Sequence, residues 1–175
     1  MAFAFLNKFF GGSDPREALQ PLYNAVTAKA RQPAWYLDGA VPDTMEGRFD
    51  LMCLITSVVL LRMEKLGEAA QAPMAWLTEL FVDDMEGQMR EVGYGDVVVG
   101  KQVGKMMGAL GGRLGACRTA FAGEGDLSAT LERNLYRGTP PAPPAARFAQ
   151  DRLLHLVAVL ETSSLDQLLA GQINT

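Results

Sequence analysis

The stretch LMCLITSVVLL, residues 51–61, decides the fold class because it is the longest strongly apolar run in the chain. Its eleven residues carry no charge, and Asp50 and Arg62 bracket it. A helix that crosses a bilayer needs about 20 apolar residues, so this run is too short to span a membrane. It predicts the centre of a buried core helix that extends from about Thr44 to Lys65.

The rest of the chain carries helical signals and no long stretch of alternating apolar and polar residues. Asp14–Pro15, Pro73 and Asp96 each mark a predicted helix start, and apolar residues then recur at steps of three and four. Asp43 with Glu46, and Ser164 with Gln167, have the spacing of a capping box and predict two further helix starts. A proline-rich connector, TPPAPPAA, precedes a last long helix predicted from about Ala146 to Thr162. The sequence therefore predicts an all-α fold. We expect a single-domain helical bundle of about six to eight helices over residues 14–175, preceded by a Phe-rich N-terminal arm over residues 1–13.

Composition excludes several classes of function. The formal net charge is −4 and the pI is near 5.0, so no overall basic field exists for nucleic acid. The chain has one histidine, His155, and two distant cysteines, Cys53 and Cys117. This inventory offers no zinc-ligand spacing and no disulfide framework. We therefore expect no metal, no cofactor and no enzymatic activity, and the low cysteine content is typical of a cytoplasmic protein.

The N-terminal arm concentrates aromatic residues. Phe3, Phe5, Phe9 and Phe10 are four of the eight phenylalanines in the chain. Lys8 lies inside the apolar run rather than before it, which argues against a cleaved secretory signal. Two interpretations remain open: residues 1–12 contact a membrane interface peripherally, or they pack on the helical domain of the same chain.

A glycine stripe marks the segment that follows Asp96. Gly100, Gly104, Gly108 and Gly112 recur every four residues, and each interior glycine costs a helix about 1 kcal/mol relative to alanine. One interpretation is close packing of a neighbouring helix of the same domain on the glycine face. The other is a face that receives the helix of a partner, as small-residue stripes do between membrane helices.

Charge is segregated around the same segment. Residues 79–96 contain six acidic side chains and one arginine, whereas residues 97–118 contain four basic side chains and no acidic one. The pattern indicates a solvated face, two neighbouring helices that attract each other, or a two-signed patch for a charged partner.

Three motifs occur in an order and spacing typical of a known family. They are VPDT at residues 41–44, GRFD at residues 47–50 and MREVGYGDVVVGK at residues 89–101. With them, the region from Leu22 to Tyr136 resembles the ubiquinol–cytochrome c chaperone family, in its compact bacterial branch. The matching positions are Tyr36, Asp43, Gly47, Arg48, Asp50, Arg62, Arg90, Glu91, Gly93, Asp96, Gly100, Lys101, Met106, Gly112 and Arg113.

The resemblance implies a non-enzymatic assembly chaperone. Such a protein would bind newly made cytochrome b, or another hydrophobic membrane-protein client, and promote assembly of respiratory complex III. It would work in the cytoplasm, peripheral to the membrane. The alternative is a helical adaptor, or a lipid- or quinone-binding peripheral membrane module, with a different partner. The residues predicted to contact the partner are Met85, Met89, Arg90, Glu91, Asp96, Gly100, Lys101, Gly104, Lys105, Met106 and Arg113.

Overall fold

The structure is a computed structural model, and it describes residues 14–173. Within that range all regular elements are helical, which confirms the predicted all-α class. The six longer helices are α1 (Gln20–Ala30), α3 (Met45–Lys65), α4 (Gln71–Glu91), α5 (Asp96–Phe121), α6 (Leu127–Leu135) and α7 (Pro143–Thr162). The shorter elements are α2 (Ala34–Leu37), α8 (Leu165–Leu169) and the 3-10 helices Pro15–Leu19 and Glu68–Ala70. The predicted arm, residues 1–13, lies outside the described residues.

Helix starts follow local capping signals, with small shifts from the predicted positions. The Asp14 carboxylate accepts from the Arg16 amide and opens a 3-10 helix, and α1 then restarts with Pro21 in its first turn. The cap of α3 is Thr44, whose hydroxyl accepts from the Gly47 amide at 3.1 Å. The sequence suggested Asp43 for this role. Asp43 instead accepts from the Arg48 guanidinium at 2.6 Å.

Prolines also extend the last long helix beyond the prediction. The helix begins at Pro143 rather than near Ala146, because proline fits the first turn of a helix, where its missing amide hydrogen is not needed. Ser164 and Gln167 form the capping box of α8.

Helix α3 lies at the centre of the molecule. It packs against α1, α4, α5, α6 and α7, and residues 51–61 are all buried. This confirms the core helix that the apolar run predicts. Two hydroxyls are buried within this run: that of Ser57 donates to the Cys53 carbonyl oxygen at 2.7 Å, whereas that of Thr56 has no hydrogen-bond partner among the described residues. No helix of residues 14–173 combines the length and the apolar character that crossing a bilayer requires.

Within residues 14–173 the glycine stripe of α5 does not pack against another helix. A Cβ atom placed on Gly100, Gly104, Gly108, Gly111 or Gly112 would have no atom of these residues within 4 Å beyond its own helix neighbourhood. The interpretation as internal helix packing is therefore wrong. The glycines lie on the side of α5 that faces away from α3, because Val99, Leu110 and Cys117 point inward and the glycines fall on the opposite arc.

Candidate functional site

A groove of about 700 Å³ lies between α1, α2, the first turns of α3, the second half of α4 and the first half of α5. Its volume is within the range of ligand-binding clefts. Thr27 and Ala30 of α1 line it, together with Arg31 directly after the helix. Helix α2 adds Tyr36, whose hydroxyl donates to the Ala30 carbonyl oxygen at 2.9 Å and so holds the ring in the groove wall.

Methionines dominate the apolar lining. Five of the nine methionines of the chain line the groove, and they come from three different helices: Met45, Met52, Met85, Met89 and Met106. Met85 and Met89 are 7% and 8% exposed, whereas Met45 is 60% exposed at the rim. Phe49 adds an aromatic surface and packs against Phe81 with ring centroids 6.1 Å apart. Methionine side chains adapt to irregular surfaces, so this lining suits an apolar partner whose shape varies.

Charges of both signs surround the methionines. Arg31 and Lys105 line the groove, and neither has an ion-pair partner among residues 14–173. Asp84 accepts from the Tyr23 hydroxyl at 2.6 Å. Burial and this neighbouring carboxylate raise the pKa of Tyr23, so the hydroxyl keeps its proton and remains a donor.

A buried ion pair supports one edge of the groove. Asp50 is 1% exposed, and its carboxylate accepts from Arg113 of α5 and from Arg137, each at 2.5 Å. Arg137 has a left-handed backbone with φ of +53°, and it also lines the groove. The cluster ties α3 to α5 and to the end of α6.

The turn between α4 and α5 forms a separate surface. We call residues 91–98 the hairpin tip, and all eight of them are exposed. At its base the Arg90 guanidinium donates to Asp96 at 2.5 Å and lies 3.5 Å from Glu86. The hydrogen bonds to these carboxylates raise the pKa of Arg90.

The predicted partner-binding residues divide into three groups. Those that line the groove are Met85, Met89, Lys105 and Met106. Those in or beside the hairpin tip are Arg90, Glu91 and Asp96. Those on the open glycine side of α5 are Gly100, Lys101 and Gly104, roughly 140° around the helix axis from the groove lining. Arg113 lines neither surface, because its guanidinium is committed to Asp50 and its side chain is 12% exposed.

The charge segregation resolves into specific pairs. Two of the four cations of α5 bind acids of α3 rather than those of the neighbouring α4: Arg113 pairs with Asp50, and Arg118 pairs with Glu64 at 2.7 Å. Lys101 and Lys105 form no ion pair within residues 14–173. On α4, Asp83 accepts from Arg16 at 2.7 Å. The expected attraction between neighbouring helices therefore acts between α3 and α5.

The residues considered for catalysis do not converge. His155 is exposed on α7, whereas Cys53 and Cys117 are buried. Burial raises the pKa of Cys53 to about 12 and that of Cys117 to about 11, which keeps both thiols protonated and poorly nucleophilic at neutral pH. Among residues 14–173 no three His, Cys, Asp or Glu side chains are close enough to hold a metal ion.

The sequence did not identify the residues of α1, α2 and α3 that line the groove. A signal was present on α3, where Met45, Phe49 and Met52 recur at steps of four and three and so share one helix face. That these residues meet Met85 and Met106 depends on how distant helices pack, which no local pattern contains.

Several positions that carry the family resemblance also contact one another. They form three ion pairs, which are Asp43–Arg48, Asp50–Arg113 and Arg90–Asp96. The motifs therefore correspond to structural contacts around the groove and the hairpin.

Comparison with known proteins agrees with the motifs. The model of the family described as ubiquinol-cytochrome C chaperone matches residues 37–175. The crystal structure of the Cbp3 homolog from Brucella abortus is similar to this chain, with 28% sequence identity and a TM-score of 0.75 over 98% of this chain and 94% of that one. No curated protein matches the chain. Because the family model covers most of its length, the chain belongs to the ubiquinol–cytochrome c chaperone family.

Proposed function

We propose that this protein is a non-enzymatic chaperone that binds newly made cytochrome b and promotes the assembly of respiratory complex III. The observation that carries the proposal is the methionine-lined groove in a member of this chaperone family. An assembly chaperone must hold an apolar segment before its final partners arrive. A surface of unbranched, polarizable side chains can do so without demanding one fixed shape.

The client would lie in the groove with its apolar side chains against Met52, Met85 and Met89. Met45 stands at the rim and would cover the client from one side, since its side chain is 60% exposed without a client. Arg31 and Lys105, which form no ion pair with any described residue, would contact polar or acidic groups that flank an apolar client segment.

The site of action in this proposal is the cytoplasm, at the surface of the membrane that receives cytochrome b. Contact of residues 1–12 with that membrane stays a prediction. All of the predicted partner contacts also stay predictions. Those that do not line the groove are Arg90, Glu91, Asp96, Gly100, Lys101, Gly104 and Arg113.

Deletion of the gene tests the function. We expect assembled complex III to fall in the deletion strain while the transcript of cytochrome b is unchanged, and a plasmid copy should restore the complex. Native gels measure the level of assembled complex III, and the absorbance of b-type haem measures the level of cytochrome b. Normal assembly in the deletion strain would refute the proposal.

A matched pair of exposed methionines tests the groove. Met45 lines the groove, whereas Met107 is 40% exposed on α5 outside it. We expect Met45→Lys to weaken client binding about tenfold or more, because a lysine at a groove rim would bring an unpaired charge against an apolar segment. Met107→Lys should complement the deletion as the wild type does.

Photo-crosslinking gives the direct readout of the client. A photoreactive residue at Met45 should capture cytochrome b during its synthesis, and the same residue at exposed Leu154 on α7 should not. Capture from Leu154 and not from Met45 would remove the groove from the proposal while leaving the assembly function standing.

The volume of the groove favours one second function, a carrier of a lipid or quinone. About 700 Å³ would accept such a ligand. Native mass spectrometry of the purified protein distinguishes the two, since a carrier retains a stoichiometric lipid that Met45→Lys depletes.

A further inference from the structure

The exposed apolar side chains of the described residues are concentrated at one place. Eight large apolar residues are exposed between residues 14 and 173, and four of them lie within the hairpin tip. Val97 is 90% exposed, Val92 58%, Tyr94 46% and Val98 43%. The tip is therefore apolar although none of its eight residues is buried.

Apolar side chains outnumber unpaired charges at the tip. Residues 91–98 contain no lysine or arginine. Of their two carboxylates, Asp96 is paired with Arg90 across the base of the hairpin, whereas Glu91 has no ion-pair partner among residues 14–173. Four exposed apolar side chains against one unpaired carboxylate make apolar contact the main basis for recognition at the tip.

The size of the tip distinguishes between a protein and a lipid surface. A stable protein interface buries about 800 Å² on each partner and involves some 20 residues, which is more than four side chains on one turn can supply. A membrane interface accepts a few apolar side chains projecting from a protein surface, and tyrosine is enriched there because its ring is amphipathic.

We propose that the hairpin tip is a membrane contact, in which Val92, Tyr94, Val97 and Val98 enter the interfacial region of a lipid bilayer. Tyr94 also lines the groove, so the contact places the mouth of the groove at the lipid surface. This site differs from residues 1–12, and it stands on the exposure of the tip whether or not the client is cytochrome b.

A fluorescent probe at the tip tests the contact on the full chain. Val97→Cys can be labelled selectively with an environment-sensitive dye, since Cys53 and Cys117 are both buried with raised pKa values. With vesicles of phosphatidylcholine we expect a blue shift of the dye emission at position 97. The same dye at Leu154→Cys, an exposed site on α7, should not respond.

A charge variant measures how much of the binding depends on the tip. The double variant Val92→Asp with Val97→Asp should lower flotation with phosphatidylcholine vesicles at least about tenfold, because carboxylates would have to leave water. Leu154→Asp should bind as the wild type does, and thermal unfolding should be the same for all three proteins. Because the contact is apolar, binding should persist in 0.5 M salt, unlike attachment through charges.

Three results would overturn the proposal. One is a wild-type protein that fails to float with phosphatidylcholine vesicles. Another is a tip variant that floats as well as the wild type, which would assign the contact to residues 1–12 or to another surface. The third is a probe at position 97 that responds to a protein partner and not to vesicles. None of these results bears on complex III levels in the deletion strain, so the two proposals fail separately.

Discussion

Helices α3 and α5 are both long, free of proline and rich in apolar or small residues, yet they are buried to opposite extents. Helix α3 buries 14 of its 21 residues, whereas α5 buries three of its 26. The difference follows from the side chains on the outer arc of each helix. Leucine, isoleucine and valine side chains project from all sides of α3, and its five neighbouring helices pack against them. The glycines on the outer arc of α5 offer no side-chain surface to bury. Apolar composition alone therefore does not identify a core helix.

The largest expected loss of stability is at the ion pair that joins the two helices. Asp50→Ala removes the carboxylate partner of the Arg113 guanidinium at a site where the arginine side chain is 12% exposed, and leaves it only the carbonyl oxygens of Ala109 and Asn134. We expect the free energy of unfolding to fall by about 3–5 kcal/mol, measured by urea denaturation. Asp43→Ala is the control, because its exposed pair with Arg48 should contribute less than about 1 kcal/mol. A loss at Asp50 as small as that at Asp43 would contradict the structural role of the pair.

Truncation of one apolar side chain on each helix sharpens the contrast. Leu54 on α3 is fully buried and Met107 on α5 is 40% exposed. We expect Leu54→Ala to cost about 3 kcal/mol by leaving a cavity, and Met107→Ala to change stability by less than about 0.5 kcal/mol. Equal losses would mean that α5 is covered in solution.

Glycines on the two helices should respond in opposite directions. A Cβ on Gly47 of α3 would lie 2.0 Å from the Pro42 carbonyl oxygen, so the chain before α3 must shift to accommodate alanine. We expect Gly47→Ala to destabilise the protein by about 2 kcal/mol. A melting temperature equal to that of the wild type would show that this close approach is not needed.

The smallest expected effect is a gain in stability on the open side of α5. The Cβ atoms added by Gly104→Ala and Gly108→Ala would lie in open space. Alanine stabilises a helix by up to about 1 kcal/mol relative to glycine. Chemical denaturation should therefore show a more stable protein. A loss of stability would mean that the glycine side is packed after all.

The same glycine variants test the predicted partner contacts on that side. If assembled complex III stays at the wild-type level in a strain that carries them, Gly104 is not a contact. If it falls although the protein is more stable, a partner approaches the helix backbone there, as the sequence hypothesis holds.

Much of the fold could be predicted because its signals are local. The uncharged run at residues 51–61 and the capping residues Asp14 and Ser164 act within one or two turns of a helix, and each has the predicted effect. The errors are also local in origin. Thr44 and Asp43 are adjacent and both can cap a helix. Which of them caps α3 depends on how the preceding chain approaches the helix.

The candidate site was predicted only in part, for a different reason. Met85, Met89, Lys105 and Met106 were identified from one hairpin, but the opposite walls come from residues more than 30 positions earlier in the chain. Arg113 was predicted to contact a partner protein, because the segment around it contains no acidic residue with which it could form an ion pair. Its partner, Asp50, is brought to it only by the packing of α3 against α5.

The sequence by itself determined that this chain is helical, that residues 51–61 form a core helix, and which family its motifs resemble. Periodicity, capping and spacing are properties of neighbouring residues, so they can be read without the fold. Only the tertiary structure decided that the glycine side of α5 is open, that five methionines meet in one groove, and that Asp50 is buried between two arginines. Each of these depends on which helix faces lie together, and that choice is made by the burial of the whole core rather than by any single segment.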